Sequence, residues 1–226
     1  MSLPSPNAGL LNQSLLAVLA AAAPSARNAA TPRLVQAGML LALLGFDDER
    51  ASLAGSTYAQ LGLGGLDAEA AQPPSIADRE RAEMTLACRD EFVRRGLCSV
   101  AHPIGPGGLI SAVADLCRAG ADATTVGCAL VLPAPRAIGT AGAPSVAAQL
   151  FHESGGRILL SIPAARYADA TLLATSHGVP LLPLGRSGGR ELVVRASDGG
   201  SGFREVLRIS LAELSSPDSP SVQPLE

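Results

Sequence analysis

The sequence predicts an α+β domain, a layered α/β arrangement in which helices cover one mixed sheet. Three observations predict it. Short apolar runs of strand length alternate with helical segments along most of the chain. Hydrophobic residues make up 47% of the 226 residues and charged residues 16%, which is enough apolar material for a real core. The last two runs, 190–196 and 203–209, face each other across a Ser/Gly turn at 197–202 and read as a hairpin. Aromatic residues are only 3% with no Trp, so that core must be built from Leu, Val, Ile and Ala.

Residues 1–34 are Ala-, Ser- and Pro-rich around one apolar segment and read as a linker or an N-terminal helical extension. The apolar segment, 10–23, is too short for a bilayer, which needs about 20 residues. No basic stretch precedes it, so it reads as an Ala/Leu helix packed on the domain or on a neighbour, not as a signal peptide. The domain itself spans 35–214. Residues 35–44 are a continuous apolar run ended by Gly45, as in a buried strand. A polar turn at 46–50 and a short helix at 55–61 follow. Residues 75–95 form a long amphipathic helix, with Ser75 or Asp78 as its N-cap and Gly96 as its stop. A short strand at 99–101 enters the turn His102-Pro-Ile-Gly-Pro-Gly-Gly-Leu109, and a helix runs from 109 to 119 with Gly120 behind it. Next come a strand at 125–132, a Pro/Gly/Ala loop to 143, a short helix at 146–152 and a strand at 157–162. A helix at 164–177 stops at Gly178, and a strand at 181–185 precedes the hairpin. Residues 215–226 are Ser/Pro-rich and are expected to form a disordered tail. The Met-Ser-Leu start and Leu-Glu finish are also what a cut-out fragment would carry.

Composition excludes several functions. All 17 basic residues are Arg, so no lysine exists for a Schiff base or a phosphate-loop ammonium. Those arginines are spread along a chain of net charge −3, with no basic stripe interleaved with aromatics, so no nucleic-acid partner is expected. No membrane partner is expected, and the expected location is cytoplasmic. The four cysteines, Cys88, Cys98, Cys117 and Cys128, contain no C-x-x-C pair and read as reduced thiols. His152 and His177 fall at no ligand spacing with them, so no metal site is assigned. There is no G-x-S-x-G elbow and no P-loop, and no catalytic residue is assigned.

Three segments could hold chemistry. Gly105-Pro-Gly-Gly108 lies between a strand and a helix N-terminus, where backbone N–H groups and the helix dipole favour an anion such as phosphate. The same pattern also serves a tight turn that needs glycine for geometry alone. Phe151-His-Glu-Ser-Gly-Gly-Arg157 offers Glu153 to a metal or hydroxyl, and Arg157 to that carboxylate or a phosphate. Its plainer reading is a solvated turn with a surface ion pair. The Ser/Asp/Gly run at 197–202 is most simply a hairpin turn.

Those segments stand in a recognisable order. It runs Leu41-Ala-Leu-Leu-Gly45, Leu53-Ala-Gly-Ser-Thr-Tyr58, then the long helix ending Arg95-Gly-Leu-Cys-Ser-Val-Ala-His102. Gly107-Gly-Leu109, Leu150-Phe-His-Glu-Ser-Gly-Gly-Arg157 and Leu184-Gly-Arg186 follow. Over residues 36–214 this resembles the C-terminal lobe of phosphoribosylformylglycinamidine synthase, in the second half of that internally duplicated enzyme. The resemblance implies a fold like the C-terminal domain of aminoimidazole ribonucleotide synthetase, with partial ferredoxin-like similarity. It implies an ATP-dependent C–N ligase of purine biosynthesis that converts an amide to an amidine, with ATP or ADP and Mg²⁺ held between lobes. An N-terminal lobe and an ammonia-supplying glutaminase are the partners it implies. It carries nucleotide or phosphate binding onto His102, Gly105, Gly107, Gly108, Glu153, Ser154 and Arg157.

The chain departs from the family at the turn, which the family writes His-Asp-x-Ser-(Asp/Glu)-Gly-Gly-Leu. Here Pro103 and Pro106 replace the two acidic residues and Gly105 replaces the serine. Proline has no N–H and holds no metal. With no room for the N-terminal lobe, the isolated chain is expected to be inactive alone and to need no cofactor by itself. A non-catalytic paralogue serving as a binding or assembly module is one alternative. A lobe of a relative such as selenophosphate synthetase, thiamine monophosphate kinase or a hydrogenase maturation factor is another. The Tyr58 segment and the Leu-Phe-x-Glu-Ser-x-x-Arg motif favour the synthase. Self-association through a surface left bare by the missing lobe is also allowed.

Overall fold

The computed structural model describes residues 33–34, 36–46, 53–63, 75–118, 125–133, 145–197 and 202–215. The expected helix at 10–23, the tail from 216 onward and the tip of the hairpin turn lie outside these residues. The strands are β1 (Leu40–Leu44), β2 (Val100–Pro103), β3 (Cys128–Leu132), β4 (Ile158–Ile162), β5 (Leu181–Ser187), β6 (Glu191–Ser197) and β7 (Phe203–Ser210). The helices are α1 (Thr57–Gln60), α2 (Ile76–Arg94), α3 (Gly108–Cys117), α4 (Val146–Phe151), α5 (Tyr167–Ser176) and α6 (Leu211–Ser215). Every strand and helix expected within the described residues is present.

The strands make one mixed sheet in the order β2-β4-β1-β5-β3-β6-β7. Among the described residues β3 and β6 pair in parallel and the other neighbours are antiparallel. Helices cover both faces. On one face α1, α3, α4 and α6 pack over the larger core, which takes Leu41 and Leu43 from β1 and Leu159 from β4. On the other, Cys88 and Phe92 of α2 and Ala170 and Leu173 of α5 pack over Ala42, Leu44, Leu160 and Ile162. Successive side chains of a strand point to opposite faces. A strand covered on both sides therefore reads as an unbroken apolar run, which is what residues 40–44 show. The run does not become strand until Leu40, because Gly38 at φ +83° turns the chain first.

Local chemistry explains the helix ends. Ser75 caps α2 and forms a reciprocal capping box with Asp78, so both residues offered by the sequence are used. Gly96 at φ +62° closes the same helix. The helix expected at 164–177 starts instead as a 3₁₀ turn, Ala164–Arg166, after Pro163. The strand expected to end at 185 continues to Ser187, because Leu40 and Leu41 pair with Arg186 and Gly185 next to a bulge. Among the described residues no helix is long and apolar enough to cross a membrane.

Candidate functional site

The glycine-rich turn is built from two of its own residues. Gly108 N–H donates to the Gly105 carbonyl at 3.0 Å, closing a four-residue turn. Pro106 fixes the second position and Gly107, at φ 82° and ψ 0°, takes the third, the arrangement of a type II turn. The turn delivers the chain from the edge strand β2 into α3. An edge strand tolerates Pro103, since no ladder donor is lost on its open side. Gly108 is glycine for two reasons. Its φ is +70°, and a Cβ there would lie 2.6 Å from the Leu150 carbonyl oxygen and 2.7 Å from the Phe151 carbonyl carbon. Gly105 has no such constraint: no atom lies within 4 Å of the place its Cβ would take.

The second motif closes onto the first through Glu153. One oxygen of its carboxylate, Oε1, accepts from the Gly107 N–H at 2.7 Å and from the Thr57 N–H at 2.7 Å. Both donors sit at helix N-termini, where backbone N–H groups lack partners in their own helix. Segments some 50 and 100 residues from Glu153 in sequence thus meet at one carboxylate. Ser56 prepares the second donor by capping α1, accepting from Ala59 N–H and donating to the Leu53 carbonyl at 2.6 Å. Tyr58 and Phe151 add a ring contact between α1 and α4, with centroids 4.6 Å apart.

Arg157 lies 2% exposed, not on a solvated turn. Its guanidinium donates to the His152 carbonyl at 2.8 Å and, through Nε, to the Ser154 carbonyl at 3.5 Å. Close backbone approaches seal the site: Gly156, at φ +77°, would place a Cβ 2.8 Å from Ala82 of α2, and Gly45 one 2.6 Å from the Gly156 carbonyl oxygen. The motif's own loop is therefore braced from inside by its arginine. The Ser154 hydroxyl is buried with no hydrogen-bond partner among the described residues.

His102, half-buried on β2, shares a face with Val100 and Ile104 by strand alternation. Burial holds its imidazole below the usual value of 6.5, while the Asp115 carboxylate of α3 pulls the other way. It is therefore neutral at pH 7. The structure brings the glycine turn and the Glu-Ser-x-x-Arg segment together and adds two residues that were given no role in the sequence, Ser56 and Thr57. Their signal was the N-cap pattern of Gly-Ser-Thr-Tyr. Ser197 ends β6 and Gly202 precedes β7, and residues 198–201 between them lie outside the described residues.

Among the described residues no three His, Cys, Asp or Glu side chains gather to hold a metal ion. Glu153 already accepts two N–H groups. Among the described residues this donor set does not fit a divalent cation.

Phosphoribosylformylglycinamidine synthase subunit PurL of Mycolicibacterium vanbaalenii is 36% identical over 187 residues, which is 78% of this chain and 20% of the relative. The chain thus spans about one fifth of the length of the curated relatives it matches. Thermotoga maritima PurL complexed with FGAR superposes with a TM-score of 0.58 at 16% identity, covering 86% of this chain and 31% of that one. The same protein complexed with ATP gives 0.54 at 15% identity, over 86% and 28%. No family model matches the chain.

Proposed function

We propose that this chain, a PurL-like domain of α+β fold, acts as the C-terminal lobe of an ATP-dependent phosphoribosylformylglycinamidine synthase and forms one wall of its nucleotide or phosphate cleft. The observation that carries this is the Glu153 carboxylate, which binds the helix N-termini behind the glycine turn and at Thr57. Those N–H groups with their helix dipoles form a pole suited to a negative charge. The residues that the family likeness suggests for nucleotide or phosphate binding are His102, Gly105, Gly107, Gly108, Glu153, Ser154 and Arg157.

Each residue has a definite part. Gly107 and Gly108 shape the turn, and Gly108 lets α4 close against it. Arg157 holds the loop carrying Glu153 and Ser154. Gly105 leaves open space where a side chain would stand, and the buried Ser154 hydroxyl has no hydrogen-bond partner among the described residues. ATP would supply the phosphoryl group that activates the amide oxygen for ammonia, with Mg²⁺ held by the rest of the enzyme. In the chain on its own, Glu153 satisfies the pole a phosphate would fill. Pro103 and Pro106 bring no carboxylates for a cation. This lobe by itself is therefore expected to bind no nucleotide, and the reading has the other parts of a synthase and a glutaminase partner complete the site in the cytoplasm.

Turnover tests this reading. The chain is mixed with a relative's synthase lacking the matching fifth, and ATP- and ammonia-dependent amidine formation is followed. Activity in the mixture but not with either part is expected. Turnover by this chain alone contradicts it. The two prolines favour a second reading, a non-catalytic assembly module. Under that reading the mixture assembles but stays inactive.

A further inference from the structure

Outside the glycine turn, two thiols are in contact. Cys117 is the last residue of α3 and Cys128 the first of β3. Their Sγ atoms lie 3.6 Å apart, and both residues are buried. One residue pins both ends of the pair: Leu34 N–H donates to the Leu116 carbonyl at 3.0 Å, and the Leu34 carbonyl accepts from Val126 N–H at 2.7 Å. A disulfide needs an S–S distance of about 2.05 Å, so each sulfur has to move by less than about 1 Å. The other two cysteines, Cys88 and Cys98, lie on the opposite side of the sheet with the second core.

We propose that Cys117 and Cys128 are a modification site, forming an intramolecular disulfide when the chain meets a small-molecule disulfide such as oxidised glutathione. The chemistry balances in two exchanges. One cysteine thiolate attacks oxidised glutathione, breaking its S–S bond, forming a mixed disulfide and releasing one glutathione. The partner thiolate then attacks the protein sulfur of that mixed disulfide. The Cys117–Cys128 bond forms and the second glutathione leaves. Two electrons pass to the oxidant, and the two cysteine protons end on the two glutathiones. The bond ties the C-terminal end of α3, whose N-terminus carries the glycine turn, to a strand that lies between β5 and β6. The Cys117 contact, and then burial, hold the Cys128 thiol well above the usual range. Oxidation therefore follows opening of the end of α3 and is slow.

The test uses the full chain. It is incubated with oxidised glutathione, free thiols are then alkylated under denaturing conditions, and tryptic peptides are read by mass spectrometry. The expected product joins peptides 96–118 and 119–136 through Cys117 and Cys128, with Cys98 alkylated. The expected change in Tm is a rise of roughly 5 °C, reversed by dithiothreitol. Cys128→Ala is expected to abolish the oxidant-dependent rise, and the peptide map of the unaltered chain stands if that variant does not fold. Recovery of Cys117 and Cys128 as alkylated thiols after prolonged oxidation overturns the proposal. So does a disulfide that joins Cys98 to either one.

Discussion

Gly108 and Gly105 look alike in sequence and differ in what they bear. Both lie in one Gly-Pro-Gly-Gly run, but only Gly108 combines a positive φ with backbone atoms 2.6–2.7 Å from the place of a Cβ. Backbone atoms cannot swing aside. Gly108→Ala is expected to cost roughly 3 kcal/mol in urea unfolding, while Gly105→Ser, the family's residue, stays within about 0.5 kcal/mol. Equal losses at the two positions would contradict the turn as described. Arg157 shows where reading by residue type failed. A Gly-Gly-Arg segment looks solvated, yet approaches by α2 and by Gly45 just after β1 seal it, and these are made across more than 70 residues of sequence. Arg157→Met is expected to cost about 3 kcal/mol, since the carbonyls of His152 and Ser154 lose a buried charged donor. His102 sets a pH dependence. Its folded-state value is held below 6.5, so between that lowered value and 6.5 the unfolded chain binds more protons. Stability therefore falls as pH drops through 6.5 and levels off below the folded-state value. His102→Gln is expected to flatten this part of a stability-versus-pH curve, and an unchanged slope would refute the assignment.

Elements set by their own neighbours in sequence were legible. The cap of α2, its glycine stop and the unbroken apolar run of β1 are local signals, and each appears within a few residues of its expected place. Ser75→Ala removes the acceptor for the Asp78 N–H and is expected to lower stability by about 1 kcal/mol in thermal unfolding. No change would show that the capping box is not formed in solution. Elements shaped by distant contacts were less legible. β5 runs two residues past its expected end, because it is paired with β1 beyond a bulge and passes so close to β3 that a Cβ on Gly185 would lie 2.0 Å from the Ala129 oxygen. No local pattern around residue 185 reports that approach. The role of α1 was hidden for the same reason, since Thr57 acts through its backbone on a carboxylate 96 residues away.

At the scale of the whole molecule, the fold class followed from the alternation of apolar runs with helical segments, while the strand order and the single parallel pair did not. Such pairings join segments far apart in the chain, and periodicity carries no record of them. The site is likewise a product of the whole fold, with one carboxylate gathering α1, the glycine turn and the loop before β4. Removing that carboxylate tests whether they gather around an anion-binding pole. Glu153→Ala is expected to lose about 3 kcal/mol from two charge-assisted hydrogen bonds. The decisive measurement is the Tm of Glu153→Ala and of the unaltered 226-residue chain in phosphate and in chloride at matched ionic strength. Phosphate is expected to raise the Tm of Glu153→Ala by several degrees and leave the unaltered chain unmoved, as the ion takes the carboxylate's place at Gly107 and Thr57. An equal response in the two proteins, or none in either, would contradict an anion-binding pole at this turn.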